Sequence, residues 1–245
     1  MVSAKGIISL NNDAARLLAQ AGRFIEATHL LKQAAHHLTK ETACPPTASV
    51  ALHSQKTTID VVQSSSCTLL FPLPIDETVV ANDAVVSPGN LFPVYNQAFG
   101  LSVNKSHAWT ADDSEEQRTT ISAVVIYNLA LANHRIGLSS TGNSGSSLKN
   151  ALRLYGQALT LLQSNIDLVA ERQALFVLTL ATICNMGQIK AHFWDLADAQ
   201  LCFDRLEMLL MDAPCSFDLP ESEAEFFYSI VCHDCGCFVN AAAAA

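Results

Sequence analysis

Charged residues are scarce in this chain of 245 residues, at 15% of the sequence against about 25% in an average soluble domain. The 14 lysines and arginines form no run, and 23 aspartates and glutamates outnumber them. Proteins that bind the phosphates of nucleic acids need clustered positive charge, which this chain lacks. Nucleic acid is therefore not an expected partner.

Long hydrophobic runs are also missing, although 50% of the residues are hydrophobic. The longest apolar stretches, residues 121–132 and 174–184, are too short and too polar to cross a bilayer. Residues 1–18 lack the hydrophobic core of a signal peptide because Asn11 and Asn12 interrupt them. The eight cysteines do not follow the spacing of a disulfide framework. We expect a soluble, cytoplasmic protein with no membrane partner.

Motifs of catalysis are absent. The sequence contains no G-x-S-x-G, no H-E-x-x-H and no phosphate-binding glycine loop. Serine, histidine and carboxylate residues occur throughout, but nothing in their order brings three of them together. A non-enzymatic protein is the favoured prediction, and an enzyme whose residues meet only in the folded chain is the alternative.

One cluster near the C-terminus has the spacing of metal ligands. Cys232 and Cys235 form a C-x-x-C pair, and Cys237 or His233 is available as a third zinc ligand. No second C-x-x-C pair supplies the fourth ligand. A metal-binding protein that uses this cluster is thus an alternative. We expect instead that the protein has no cofactor and that these small residues pack at the end of a helix.

Three stretches share one spacing of small and large residues. In each, an apolar residue lies four positions after an alanine, and another lies three positions further on. In the first and third stretches a second small residue, Ala15 or Gly187, precedes the leading alanine by the same interval. In the middle stretch the interval from Ala130 to Ala151 is longer by nine positions, which is the length of the turn-rich residues 139–147. The three sets are Ala27, Leu31 and Ala34, then Ala151, Tyr155 and Ala158, then Ala199, Phe203 and Leu206.

Small residues that face each other let two helices approach closely, so the spacing predicts antiparallel helical hairpins and an all-α fold. Most of the prolines lie between the first and second hairpins, where the helical periodicity stops. We predict one domain over residues 1–245. It comprises a first hairpin at 9–38, a long, mostly non-helical insertion at 39–116, a second hairpin at 117–162, a third at 166–211 and a C-terminal capping helix at 221–238.

The hairpins resemble the tetratricopeptide repeat family. The resemblance is carried by NDAARLLAQAGRFIEATHLLKQA, by YNLALANHRIG with ALRLYGQALTLL, and by CNMGQIKAHFWDLADAQLCFDRLEMLL. It implies an α-solenoid in which the first helix of each hairpin lines a concave groove. The leading alanines lie further apart than the family's repeat of about 34 residues, so the array is interrupted. An all-α bundle of other function is the alternative.

The resemblance places Asn12, Asp13 and Cys184 in this groove, and its candidate peptide-binding residues form a longer set. An asparagine amide can pair with both the N–H and the C=O of an extended peptide, so the implied function is a protein–protein interaction scaffold that binds an extended peptide or protein partner. Alternatively, the asparagines brace the hairpins internally. The candidate set is Arg16, Tyr127, Asn128, Leu131, His134, Arg135, Asn185, Gln188 and His192.

Two stretches of the insertion, TLLFPLPI and LFPVYNQAFGL, are apolar and kept extended by their prolines. We expect one of them to pack across the helices between the first and second hairpins, where it permanently completes the core. The alternatives are a segment that occupies the groove until a partner displaces it, and a disordered loop.

Overall fold

A computed structural model describes residues 4–20, 23–42, 68–74, 93–103, 115–139, 144–163, 173–212 and 219–233. In these ranges the protein is mainly helical, with one small sheet, so the predicted all-α fold class is confirmed. The helices are α1 (Ala4–Ala19), α2 (Phe24–Thr42), α3 (Glu115–Ser139), α4 (Ser144–Gln163), α5 (Gln173–His192), α6 (Leu196–Met211) and α7 (Glu221–His233). The strands are β1 (Thr68–Pro74) and β2 (Gln97–Val103).

Each helix packs against the next one in the sequence. The pairs α1–α2, α3–α4 and α5–α6 form the hairpins, and contacts between α2 and α3 and between α4 and α5 join them. All nine residues of the repeated spacing are buried, with at most 6% of their surface exposed. The small residues Ala15, Ala130 and Gly187 are buried too. The small and large residues of the repeated spacing therefore lie in the core between the helices, as the sequence predicts.

Helix α5 is buried on all sides. By length and composition it is the one helix in the described ranges that is able to span a membrane, and 78% of that stretch lies inside the protein. A helix that is apolar around its whole circumference is typical of the centre of a soluble protein as well as of a membrane span. The burial of α5 is consistent with a soluble protein.

Helix α3 does not end at Gly137, although a glycine near the end of a helical pattern is often a stop signal. The residue faces α4, where a Cβ atom would lie 2.6 Å from Cγ of Leu148. Gly137 is thus a point of close helix contact rather than a cap. Helix α4 begins at Ser144, inside the turn-rich residues 139–147, because small polar residues are well suited to a first helical turn.

Gly137→Ala is expected to lower the free energy of unfolding by about 1–3 kcal/mol, because the new methyl group overpacks the buried Leu148. Gly156→Ala is the matched control. It lies inside α4 with no other atom near its Cβ position, so the same change should stabilise the protein by about 0.5–1 kcal/mol. Urea unfolding of both variants measures the difference. Equal effects would show that α3 and α4 are not in close contact at Gly137.

The insertion between the first two hairpins contributes both strands. They are antiparallel, with Phe71 opposite Gly100, Pro72 opposite Phe99 and Pro74 opposite Gln97. Strand β2 contacts α1 and α3, and β1 contacts α1 and α5. The stretch LFPVYNQAFGL therefore packs against the helices from residue 93 onward, and the prediction of extended pieces in the insertion is confirmed for these two strands.

Candidate functional site

Residues 93–103 cross the first helices of all three hairpins. The chain passes from α5 to α3 to α1 as it runs from residue 95 to residue 101, and each helix holds the backbone through asparagine side chains. These helices are the ones that the sequence places around a concave groove. The segment of residues 93–103 is called the groove segment below.

Asn185 of α5 pairs with Tyr95 in both directions. Its Oδ1 accepts a hydrogen bond of 2.8 Å from the backbone N–H of Tyr95, and its Nδ2 donates one of 3.2 Å to the carbonyl oxygen of the same residue. The side chain of Asn185 is fully buried. A buried amide whose oxygen and nitrogen are both hydrogen-bonded stabilises the fold more than the same contact at the surface, because an unpaired polar group in the interior is costly.

Asn128 of α3 makes the same pair with Phe99. Its Oδ1 accepts from the Phe99 N–H at 2.9 Å, and its Nδ2 donates to the Phe99 carbonyl at 2.8 Å. The second hydrogen of Nδ2 is donated to Oδ1 of Asn11 at 2.9 Å, and Asn11 in turn donates to the Phe99 carbonyl at 3.1 Å. The amide of Asn128 is completely satisfied, and it ties α3 to α1 through the groove segment.

Asn12 of α1 completes the series with Leu101. Its Oδ1 accepts from the Leu101 N–H, its Nδ2 donates to the Leu101 carbonyl, and both bonds measure 2.7 Å. Tyr95, Phe99 and Leu101 are separated by even numbers of residues, so their backbone groups point to the same edge of the extended segment. Asparagines of three helices thus bind one edge of the extended segment through its backbone groups alone.

Strand β1 covers the opposite edge of β2. Because Phe99 and Leu101 give their N–H and C=O groups to asparagines, the ladder with β1 is left to the alternate residues of β2, which are Ala98, Gly100 and Ser102. Pro72 and Pro74 lie opposite Phe99 and Gln97, at the positions of β1 whose N–H would point away from β2. Their missing N–H groups therefore cost no bond in the sheet.

Side chains of the groove segment fill two aromatic pockets. The ring of Tyr95 stacks on Phe227 of α7 with centroids 5.2 Å apart, and Phe99 meets Tyr127 edge to face at 5.2 Å. The hydroxyl of Tyr95 donates to the buried carboxylate of Glu223 at 2.6 Å. Burial of Tyr95, reinforced by this carboxylate, raises its pKa well above the ordinary value, so the hydroxyl stays a donor.

A chain of buried polar groups leads from the groove segment into the helices. Nδ2 of Asn185 lies 3.1 Å from the hydroxyl of Tyr155, which is 3.4 Å from Nδ1 of His134. Nε2 of His134 lies 2.7 Å from Oε1 of Gln188. Because Oε1 is an acceptor, Nε2 carries the proton and Nδ1 accepts from Tyr155. Burial lowers the pKa of His134 to about 4, so this imidazole is neutral at physiological pH.

This buried histidine predicts a pH dependence of stability. Its pKa is about 4 when folded and about 6.5 when unfolded, so the unfolded state binds more protons between these values. Stability is therefore complete above pH 6.5 and falls as the pH drops toward 4. Between pH 8 and pH 5 we expect a loss of about 2 kcal/mol from His134. Urea unfolding of the wild type and of His134→Gln at both pH values measures this loss. If the free energy of unfolding falls equally in the two proteins, His134 is not its source.

The remaining candidates do not gather around the groove segment. Arg16 is exposed and pairs with Asp13 at 3.0 Å, and His192 is exposed as well. Leu131 is fully buried. Arg135 is buried with its guanidinium 5.8 Å from the centre of the Phe24 ring, and its Nε has no hydrogen-bond partner in the described structure.

Tyr127 and Cys184 contact the groove segment directly. The hydroxyl of Tyr127 donates to the carbonyl of Gln97 at 3.3 Å, and the thiol of Cys184 donates to the carbonyl of Pro93 at 3.4 Å. Burial raises the pKa of Cys184 above its ordinary range, so it is a neutral thiol rather than a nucleophile. Sequence reasoning missed Asn11 and Glu223. The Asn11–Asn12 doublet on the first helix is the signal that was available for Asn11.

The C-terminal cysteine cluster falls largely outside the described residues. Cys232 and His233 lie in the last turn of α7, and Cys235 and Cys237 follow beyond the described range. Among the described residues, no group of three or more histidine, cysteine, aspartate or glutamate side chains is arranged to hold a metal ion.

Neither a protein-family model, nor a curated protein sequence, nor a solved structure matches the chain. The resemblance to tetratricopeptide repeats therefore stays a prediction from the residues of the three hairpins.

Proposed function

We propose that this chain is a non-enzymatic, cytoplasmic interaction scaffold of the tetratricopeptide-like kind, and that its concave groove binds an extended peptide of a protein partner. One observation carries the proposal. Asn12, Asn128 and Asn185 each pair with both the N–H and the C=O of a residue in an extended segment. Such pairs read the backbone of a strand and not its sequence.

The side-chain pockets define the preferred peptide. The groove accepts an aromatic residue at the position of Tyr95, a second one four residues later at Phe99, and an aliphatic residue at Leu101. All three side chains are almost completely buried. A partner with this pattern satisfies the same asparagines and the same pockets as the groove segment does.

The groove requires an occupant at all times. Without one, the amides of Asn128 and Asn185 and the rings of Tyr127 and Phe227 would be left without their partners, which combines an apolar patch with unsatisfied polar groups. Partner binding is therefore an exchange, in which the strand of the partner replaces the chain's own groove segment. The apparent affinity for the partner is the intrinsic affinity multiplied by the fraction of time during which the resident segment has left the groove.

The test weakens the binding of the chain's own groove segment and adds the same sequence as a separate peptide. In the full chain with Tyr95→Ala and Phe99→Ala, a labelled peptide of residues 93–103 is expected to bind and to raise the melting temperature. The wild-type chain should bind it far more weakly. A peptide in which alanine replaces the tyrosine and the phenylalanine is the matched control and should not bind.

The asparagines give the decisive comparison. Adding Asn128→Ala and Asn185→Ala to the weakened chain should reduce peptide affinity at least tenfold, since each buried backbone pair contributes about 1–3 kcal/mol. If the weakened chain is unfolded without peptide, recovery of helical circular dichroism on peptide addition is the same readout. The proposal is contradicted if the asparagine changes leave the peptide affinity unaltered. It is also contradicted if the weakened chain neither binds the peptide nor refolds with it.

A further inference from the structure

Helix α5 ends in a Schellman motif with tryptophan at the glycine position. The N–H of Asp195 donates to the carbonyl of Lys190 at 3.0 Å, and the N–H of Trp194 donates to that of Ala191 at 3.0 Å. Trp194 has a φ of 61°, in the left-handed region. Glycine is the usual residue there because any side chain at positive φ is strained.

The strained tryptophan is not used for packing inside the protein. Trp194 is 81% exposed, so its ring gives little hydrophobic stabilisation to the fold that strains its backbone. A bulky residue kept in a costly conformation and left in solvent indicates a role outside the folded monomer. Tryptophan is also the residue most enriched among those that dominate binding energy at protein interfaces.

Trp194 lies in the turn before α6, at the start of an exposed seam that continues along the outer face of this helix. The seam alternates steps of three and four residues, which is the spacing of the contact positions in a coiled coil. Its large apolar members are highly exposed, at 64% for Leu201, 53% for Met208 and 71% for Met211. The whole seam consists of Trp194, Ala197, Leu201, Asp204, Met208 and Met211.

Negative charge surrounds the α6 seam. Residues 194–212 carry five carboxylates and a single arginine, Arg205. Asp204 lies within the seam itself, and in the described ranges its carboxylate accepts a hydrogen bond of 2.7 Å from Gln200 of the same helix. A partner helix that covers the seam must neutralise Asp204 with a cation, because a buried carboxylate without a counter-charge is strongly unfavourable.

A second copy of this chain does not meet that requirement. Two seams that face each other bring five carboxylates against five, and each copy supplies only Arg205 as a cation, so the contact keeps a large excess of negative charge. Charge complementarity selects a different chain with lysine or arginine beside its apolar positions.

We propose that the α6 seam docks a basic amphipathic helix of a partner protein, with Trp194 as its anchor. The helical part of the seam, from Ala197 to Met211, spans 14 residue steps or about 21 Å, and Trp194 lies in the turn before it, so a partner helix of about 18 residues covers both. The methionines suit this role because their flexible side chains adapt to different apolar partners. This surface is separate from the groove and does not depend on the proposed function.

The test uses a synthetic 18-residue peptide with leucine at the heptad contact positions and lysine elsewhere. The full chain carries Trp109→Phe, so that Trp194 is its sole tryptophan. Titration should shift the Trp194 fluorescence to the blue as the ring leaves water. A scrambled peptide of the same composition should bind at least tenfold more weakly, and a version with glutamate in place of lysine should cause no shift.

Substitutions in the seam separate docking from general attraction to an acidic protein. Leu201→Ser with Met208→Ser removes mainly exposed apolar groups, so the melting temperature should fall by about 1–3 °C at most, from the lower helix propensity of serine, while peptide affinity falls at least tenfold. Trp194→Gly should weaken binding of a labelled peptide to a similar extent and raise the melting temperature by about 2–4 °C, because it removes the strain at positive φ.

Three results would overturn the proposal. The first is equal affinity for the scrambled or the acidic peptide. The second is binding that survives the double serine change. The third is a wild-type chain that self-associates through the seam in sedimentation experiments, which would make this face a contact between copies.

Discussion

Phe99→Ala is expected to lower the free energy of unfolding by about 3–5 kcal/mol. Phe99 is fully buried, contacts Tyr127 and lies close to Tyr95, so its removal leaves a cavity at the junction of α1, α3 and β2. The neighbouring helices cannot close this cavity without breaking the bonds between Asn128 and the backbone of residue 99. Chemical denaturation followed by circular dichroism measures the change.

Tyr228→Ala is the control for this prediction. Tyr228 lies on α7 and is 43% exposed, so its replacement should cost less than about 1 kcal/mol. The comparison asks whether the groove segment belongs to the core. If Phe99→Ala is as mild as Tyr228→Ala, the segment is only loosely held and the helices are stable without it.

Asn128→Ala is also expected to lower the free energy of unfolding by about 3–5 kcal/mol. The change removes the partner of the Phe99 N–H, one of two donors to the Phe99 carbonyl, and the donor to Oδ1 of Asn11. Each buried group that loses its partner costs about 1–3 kcal/mol.

Asn150→Ala is the matched control for Asn128→Ala. Its side chain is half-buried and bonds to Asn133 and Arg153 on the outer parts of α3 and α4, away from the groove segment. We expect a loss below about 1 kcal/mol. Urea unfolding at constant pH distinguishes the two variants, and a small effect of Asn128→Ala would show that the Phe99 backbone is not held by that amide.

The hairpins were predictable because the signal for them is local. The spacing of Ala27, Ala151 and Ala199 with the residues that follow depends only on the geometry of one helix, and every member of the three sets is buried. Helix ends were less predictable. Residues 144–147 have the composition of a loop, yet they form the first turn of α4, where low helix propensity costs little.

The asparagines show where such reasoning stops. Asn128 and Asn185 each lie two residues before a small residue of the repeat, and the same offset in the first hairpin gives Asp13. A carboxylate has no N–H to donate and cannot make the two-way pair, and α1 supplies Asn11 and Asn12 instead. The chemistry of the amide pointed to an extended peptide, but nothing local pairs Asn12 with Leu101, 89 residues away.

The groove segment also changes how the whole chain is expected to unfold. In an ordinary repeat array each hairpin contacts only its neighbours, so terminal hairpins open separately and cooperativity decays along the array. Here one strand is bonded to α1, α3 and α5 together, and a hairpin at either end cannot open without releasing it. The amide hydrogens of Tyr95, Phe99 and Leu101 should then exchange with solvent together, when the groove segment leaves the three helices. Long-range hydrogen bonds of this kind make the three hairpins a single cooperative unit.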